Sequence, residues 1–207
     1  MKRQDAQWQV FRYAQQSALS GYYTEFGVWF GASMASAWEN WQELQRFCSR
    51  YKKDQAFDLK GFVGYDSFEG LPCLRPGDEG YGAFYAGRFA NVDYAELCER
   101  LPFARFEKGW FKDTLPKEEI YPIAIAHIDC DIYSSTVEVL DFLKPRLVDG
   151  AVLLFDDWFC YKGRSDKGER KAWLESGLKA QEYFNYAVQG KCMIYEKCPD
   201  EKIGGTE

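Results

Sequence analysis

Histidine is nearly absent: His127 is the only one in 207 residues, so any histidine-based chemistry is limited to what that ring can reach. The seven cysteines are odd in number, dispersed and without a C-x-x-C pair, and one histidine cannot complete a zinc site with them. They read as reduced, mostly buried thiols. No apolar run approaches the ~18–20 residues needed to cross a bilayer, so no membrane partner is expected. Positive charge is in deficit, 26 Lys and Arg against 32 Asp and Glu for a net −6, the wrong sign for a chain held to nucleic acid by phosphate neutralisation. The opening residues, Met1 to Trp8, carry a basic pair but no apolar stretch behind it. That is not a secretory signal, and a cytoplasmic location is expected.

Aromatic residues are plentiful, at 18%. Most are expected in the core, but such a chain can also stack on flat rings or sugar faces. The length fits one domain with a substantial core.

Periodicity alternates along the chain. Tyr22 to Gly27 is a short β-prone run closed by glycine, and Met34, Ala37, Trp38, Trp41, Leu44 and Cys48 then recur at helical spacing. Gly61 to Asp66 reads as a second strand. Asn91 can cap a helix with Tyr94, Leu97, Cys98 and Leu101 on one face. A run at Ala104 to Phe106 follows, then Ile123 to Ile128, apolar on both faces but for His127, as in a parallel strand covered on each side. Ser134 to about Arg146 is expected to be helical, Ala151 to Phe155 a buried strand, and Lys167 to Leu178 a helix. Glu182 to Val188 and Cys192 to Lys197, joined at Gln189-Gly190, form a hairpin-like close. The pattern predicts one α/β domain over residues 1–198, Rossmann-like and doubly wound, with a mostly parallel sheet and an antiparallel last strand. Gly64 to Gly87 holds six glycines and is expected to be a mobile loop above the sheet edge; the tail Pro199 to Glu207 is expected to fray.

Ligands of open parallel sheets sit at the carboxyl ends of the strands, and here those ends are acidic: Glu25, Asp66, Asp129, Asp131, Asp156 and Asp157. Carboxylates gathered at one rim repel each other unless a cation joins them. Glu25-x-Gly27-x-x-x-Gly31 lacks the spacing of dinucleotide and triphosphate loops, which favours a cofactor without phosphates. With Asp66 placed for a ribose diol, the pattern points to S-adenosylmethionine. Asp129, Asp156 and Asp157, from neighbouring strand ends, offer hard oxygen ligands suited to Mg²⁺, Mn²⁺ or Ca²⁺, although Asp131 and Asp157 can also be read as helix caps.

Five segments in order, Glu25 to Ser33, Asp66 to Pro72, Gly109 to Pro116, Ile128 to Thr136 and Phe155 to Trp158, resemble the macrocin O-methyltransferase family. These are metal-dependent class I methyltransferases acting on sugar hydroxyls. The resemblance implies Asp129, Asp156 and Asp157 as metal ligands for Mg²⁺ or Mn²⁺ and Asp129 as general base, with Asp131 second and His127 third. It also implies cofactor contacts from Glu25, Gly27, Gly31, Ser33, Asp66, Ser67, Trp110 and Asp129, with Trp158 and the Tyr81 to Tyr85 loop stacking on the acceptor. Cys130 stands where the family often has glycine, and Ile132 where catechol-type relatives place a lysine base. Relatives usually carry a longer N-terminal segment, which implies a more open acceptor pocket here. The expected acceptor is a sugar hydroxyl with a hydroxyl neighbour, on a deoxyhexose such as rhamnose within a glycan or glycoside, and a homo-oligomer is compatible. Two other readings stay open: a glycosyltransferase using Asp129-Cys130-Asp131 as a DxD motif, and a non-catalytic nucleoside- or sugar-binding module. The first leaves Glu25 to Gly31 and Asp156-Asp157 unused, and the second has little need of clustered carboxylates.

Overall fold

A computed structural model of the chain describes residues 1–54 and 56–198; the expectation for the tail falls outside them. The elements run α1 (Arg3–Gln16), β1 (Ser20–Phe26), α2 (Ala32–Arg50), β2 (Asp58–Asp66), α3 (Tyr94–Arg100), β3 (Ala104–Lys108), α4 (Phe111–Thr114), β4 (Ile123–Ile128), α5 (Tyr133–Leu143), β5 (Leu147–Phe155), α6 (Gly168–Ser176), β6 (Ala180–Tyr186) and β7 (Gly190–Tyr195). The seven strands form one sheet in the order β3-β2-β1-β4-β5-β7-β6. β1 to β5 pair in parallel, and β7 enters antiparallel to both β5 and β6. No helix among the described residues is long and apolar enough to cross a membrane.

Alternation along the strands feeds two apolar layers. Tyr23, Ile125, Val152 and Leu154 point to the layer shared with α1, α2 and α3, while Phe26, Ile128, Leu153 and Phe155 point to the layer shared with α5 and α6. All six residues of β4 are buried, which is why that segment reads as an unbroken apolar run.

Two expectations need correction, and one helix is present that the periodicity did not mark. The first helix, α1, was not expected, because it is largely polar; its inward face is only Ala6, Gln7, Val10, Phe11 and Ala14. Asn91 is not the cap of α3. Asp93 fills that role, its side chain accepting from Ala95 N at 3.0 Å and Glu96 N at 3.1 Å. The glycine-rich segment is not a free loop. Asp78, 1% exposed, accepts from the backbone N–H and the hydroxyl of Ser134, both at 2.8 Å, and from Arg75 N at 2.8 Å. Phe84 packs with Ile132, Cys160 and Tyr161 in a small core of its own. The segment is thereby fastened to the start of α5. Smaller differences have local causes: α5 ends at Leu143, just before Pro145, and α6 ends at Ser176 because Gly177 adopts φ 74°.

Candidate active site

The carboxyl ends of β1, β2 and β4 meet at a cavity of about 520 Å³, within the usual range for small-molecule sites. Gly27 makes that meeting possible. It has φ 86°, and a Cβ there would collide with the backbone carbonyl of Asp129. Asp66 fixes the turn that follows: Oδ2 accepts from Val28 N at 2.7 Å and Trp29 N at 2.8 Å, while Oδ1 accepts from Phe68 N at 2.7 Å. Three of its roughly four acceptor positions are therefore engaged by backbone, so its ability to grip a diol is narrower than the sequence suggests.

Of the residues expected at the cofactor, Gly27, Asp66, Ser67, Trp110 and Asp129 lie on the cavity wall, joined by Asp131 and by Trp29, Phe111, Lys112 and Ser135. Glu25, Gly31 and Ser33 belong to the layer behind it. Glu25 is fully buried and accepts from Tyr23 Oη at 3.0 Å and Ser33 Oγ at 2.6 Å. The stacking expectation fails for Trp158, 6% exposed and packed edge-on against Phe155, and for Tyr81 and Phe84, which pack on each other and on Tyr161. Apolar burial has absorbed these rings. Tyr85 stays exposed.

The aspartates gather beside the cavity in two groups that share Asp129. One brings it together with Asp131 and Asp157, the other with His127 and Asp156, the ligand atoms of each lying within 4.8 Å of one another. Asp131 is not a helix cap; Asp78 accepts from the Ser134 N–H at the start of α5 instead. Burial and the neighbouring Asp157 hold the Asp131 carboxyl well above the usual carboxylate range, burial likewise raises Asp129, and burial with the nearby Asp129 pushes Asp157 up to about 7. Asp156 Oδ1 and Asp157 Oδ2 are buried without a hydrogen-bond partner among the described residues. Arg3, reaching in from α1, pairs with Asp156 Oδ2 and stands 4.0 Å from Asp129 Oδ2.

Crowded carboxylates with raised proton affinity, two orphaned oxygens and a side-chain cation already drawn to them form a donor set that fits a hard divalent cation. The cluster is held from below by Glu169, fully buried on α6. Its Oε1 accepts from Cys130 N at 3.4 Å and its Oε2 from Asp157 N at 3.0 Å, so one carboxylate ties the loop after β4 to the loop after β5. No local pattern marks Glu169, or Arg3, in the sequence; both act on partners more than ten residues away.

A family model described as macrocin-O-methyltransferase matches residues 2–170. The demethyldecarbamoylnovobiocin O-methyltransferase of Streptomyces niveus is 32% identical over 111 residues, 45% of this chain and 40% of that protein. The 8-demethyl-8-(2,3-dimethoxy-alpha-L-rhamnosyl)-tetracenomycin-C 4'-O-methyltransferase of Streptomyces olivaceus is 44% identical over 54 residues, 26% of this chain and 21% of that protein. The chain thus matches between about a fifth and two-fifths of the length of these curated relatives. Among solved structures, a calicheamicin methyltransferase shares the fold with a TM-score of 0.69 at 21% identity, over 92% of this chain and 77% of that one.

Proposed function

The chain belongs to the macrocin-O-methyltransferase family, and we propose that it transfers the methyl group of S-adenosylmethionine to a sugar hydroxyl, aided by Mg²⁺ or Mn²⁺ held at Asp129, Asp156 and Asp157. The observation that carries this reading is the position of Asp129, which stands on the cavity wall and is shared by both carboxylate groups. A ligand in the cavity therefore meets the residue that would also hold the cation.

Methyl transfer from a sulfonium requires an acceptor oxygen that is close, in line with the S–CH₃ bond and able to lose its proton. The wall supports each need with residues of this chain. Gly27 lets the β1 turn pass close to Asp129 without a side chain between them, Asp66 fixes that turn, and Trp110 and Phe111 give the cavity flat apolar walls suited to an adenine. When bound, a divalent cation lowers the pKa of a coordinated hydroxyl and fixes its position. Asp129 is the residue placed to take the proton, with Asp131 next to it on the same wall.

The acceptor is read as a sugar with neighbouring hydroxyls, since a vicinal diol can chelate a cation. The tetracenomycin relative, whose name specifies a rhamnosyl group, supports a sugar acceptor; its named sugar carries methoxy groups at positions 2 and 3, so the neighbouring hydroxyl rests on the chelation argument alone. The glycosyltransferase reading leaves the glycine turn at Gly27 without a role, and a simple binding module does not call for the carboxylate cluster.

Calorimetry separates methyl transfer from glycosyl transfer, and turnover separates an enzyme from a binding module. S-adenosylmethionine should bind and raise the melting temperature, as a ligand selective for the native state does, whereas a nucleotide sugar should not. A nucleotide sugar that binds while S-adenosylmethionine does not would overturn the proposal in favour of glycosyl transfer. For the acceptor, a rhamnoside should be turned over faster than its deoxy analogue lacking the adjacent hydroxyl. Equal turnover would remove chelation from the mechanism.

A further inference from the structure

His127 was expected as the third choice of base; its surroundings give it a different part. Tyr23 has a single hydroxyl proton and donates it to Glu25 Oε2 at 3.0 Å, and Ser33 donates to Glu25 Oε1 at 2.6 Å. Glu25 therefore accepts at both oxygens. His127 Nδ1 lies 3.4 Å from both the Tyr23 oxygen and Glu25 Oε2, an arrangement that suits the tautomer carrying its proton on Nδ1. In that tautomer of the neutral ring Nε2 carries the lone pair.

That lone pair is buried and has no hydrogen-bond partner among the described residues. It points at Asp156 Oδ1, 3.6 Å away, which is equally buried and unpartnered. Nε2 faces that oxygen either as the N–H of an imidazolium or, in the neutral ring, as a second acceptor that needs a positive ion between the two. An oxygen of Asp129 is within 4.8 Å of both, and the far oxygen of Asp156 already draws the Arg3 guanidinium. A carboxylate that receives Nδ1–H while Nε2 faces outward is also how proteins orient a ligating imidazole.

We propose that His127 Nε2 is a nitrogen ligand of the cation held by Asp129 and Asp156, with Glu25 orienting the ring, and that the site therefore takes a first-row transition ion such as Mn²⁺ in preference to Mg²⁺. Imidazole suits the former, while Mg²⁺ favours oxygen ligands and retained water. The inference rests on the metal-dependent reading above and narrows it.

The test uses the 207-residue chain without a tag, stripped with EDTA, desalted and titrated with Mn²⁺. Because the chain has one histidine, labelling histidine with ¹⁵N marks a single ring. Pulsed electron paramagnetic resonance of the Mn²⁺-loaded protein should show coupling to ¹⁴N that converts to ¹⁵N on labelling. His127→Asn should weaken Mn²⁺ binding about tenfold or more and leave Mg²⁺ binding much less affected. Mn²⁺ bound without any histidine nitrogen coupling would overturn the proposal while leaving the carboxylate site standing. Failure of the wild-type protein to bind either Mn²⁺ or Mg²⁺ would overturn both.

Discussion

Glu25 on β1 and His127 on β4 are register partners in the parallel sheet, and their side chains, each no more than 1% exposed, face one another with Oε2 3.4 Å from Nδ1. The pairing carries the effect of a buried glutamate across one strand to the carboxylate cluster. Glu25 lies behind the cavity wall, so its part in the site is to hold neighbours in place. Ser33, expected at the cofactor, is one of the groups holding Glu25.

Asp129→Ala and Asp156→Ala should each lower turnover by about 10²- to 10⁴-fold while leaving the fold intact. Both remove a carboxylate from a crowded, desolvated group, so the metal-stripped variants should melt no lower than the wild-type protein. Steady-state kinetics and calorimetric melting on the same preparations check the two halves, and near-wild-type turnover in Asp129→Ala would take that residue out of the reaction.

Arg3 competes with any cation for Asp156 and Asp129. Its side chain is 42% exposed, so the pair is worth no more than an ordinary partly solvated ion pair. Arg3→Gln should therefore tighten Mn²⁺ binding by about two- to fivefold and lower the melting temperature slightly in EDTA. Unchanged affinity by titration calorimetry would show that the guanidinium and the cation do not share a place.

The metal-stripped protein should lose stability as pH rises. Asp157 binds its proton up to about pH 7 in the folded chain, with Asp129 and Asp131 shifted in the same direction. In the unfolded chain the same group releases its proton near pH 4, so between about pH 4 and pH 7 the folded state holds more protons and stability falls with increasing pH. Calorimetric scans in EDTA across that window should show the decline in the wild-type protein and a shallower one in Asp157→Asn. Equal slopes would place the strain elsewhere.

Asp78→Ala should release the glycine-rich segment from α5, costing about 1–2 kcal/mol through loss of the helix cap and exposing residues 70–90 to proteolysis. Limited digestion followed by mass spectrometry reads this directly, and an unchanged cleavage pattern would mean that the Phe84 and Tyr161 packing alone holds the segment.

These contrasts show where the sequence was legible. The Ile123 to Ile128 run and the acidic ends of β2 and β4 could be read because the sheet imposes its demands residue by residue: full burial on β4 asks for an apolar run, and Asp66 and Asp129, at the ends of β2 and β4, line the cavity. Gly27 was legible for the same reason, as a turn that tolerates no Cβ. What escaped depends on contacts distant in sequence. Asp78 caps a helix that begins more than fifty residues later, Glu169 ties two loops from a third element, and α1 offers only a narrow apolar stripe that polar neighbours obscure. Trp158 misled because an aromatic after a strand end suits a stacking site and a core equally well, and only packing against Phe155 decides between them.

The most direct test of the account follows methyl transfer from isotopically labelled S-adenosylmethionine to a rhamnoside, with and without EDTA, in the wild-type protein and in Asp156→Ala. The expected result is label on the sugar that disappears under chelation, returns with Mn²⁺ in the wild-type protein, and stays absent in Asp156→Ala. Full transfer under chelation in both proteins would contradict the account.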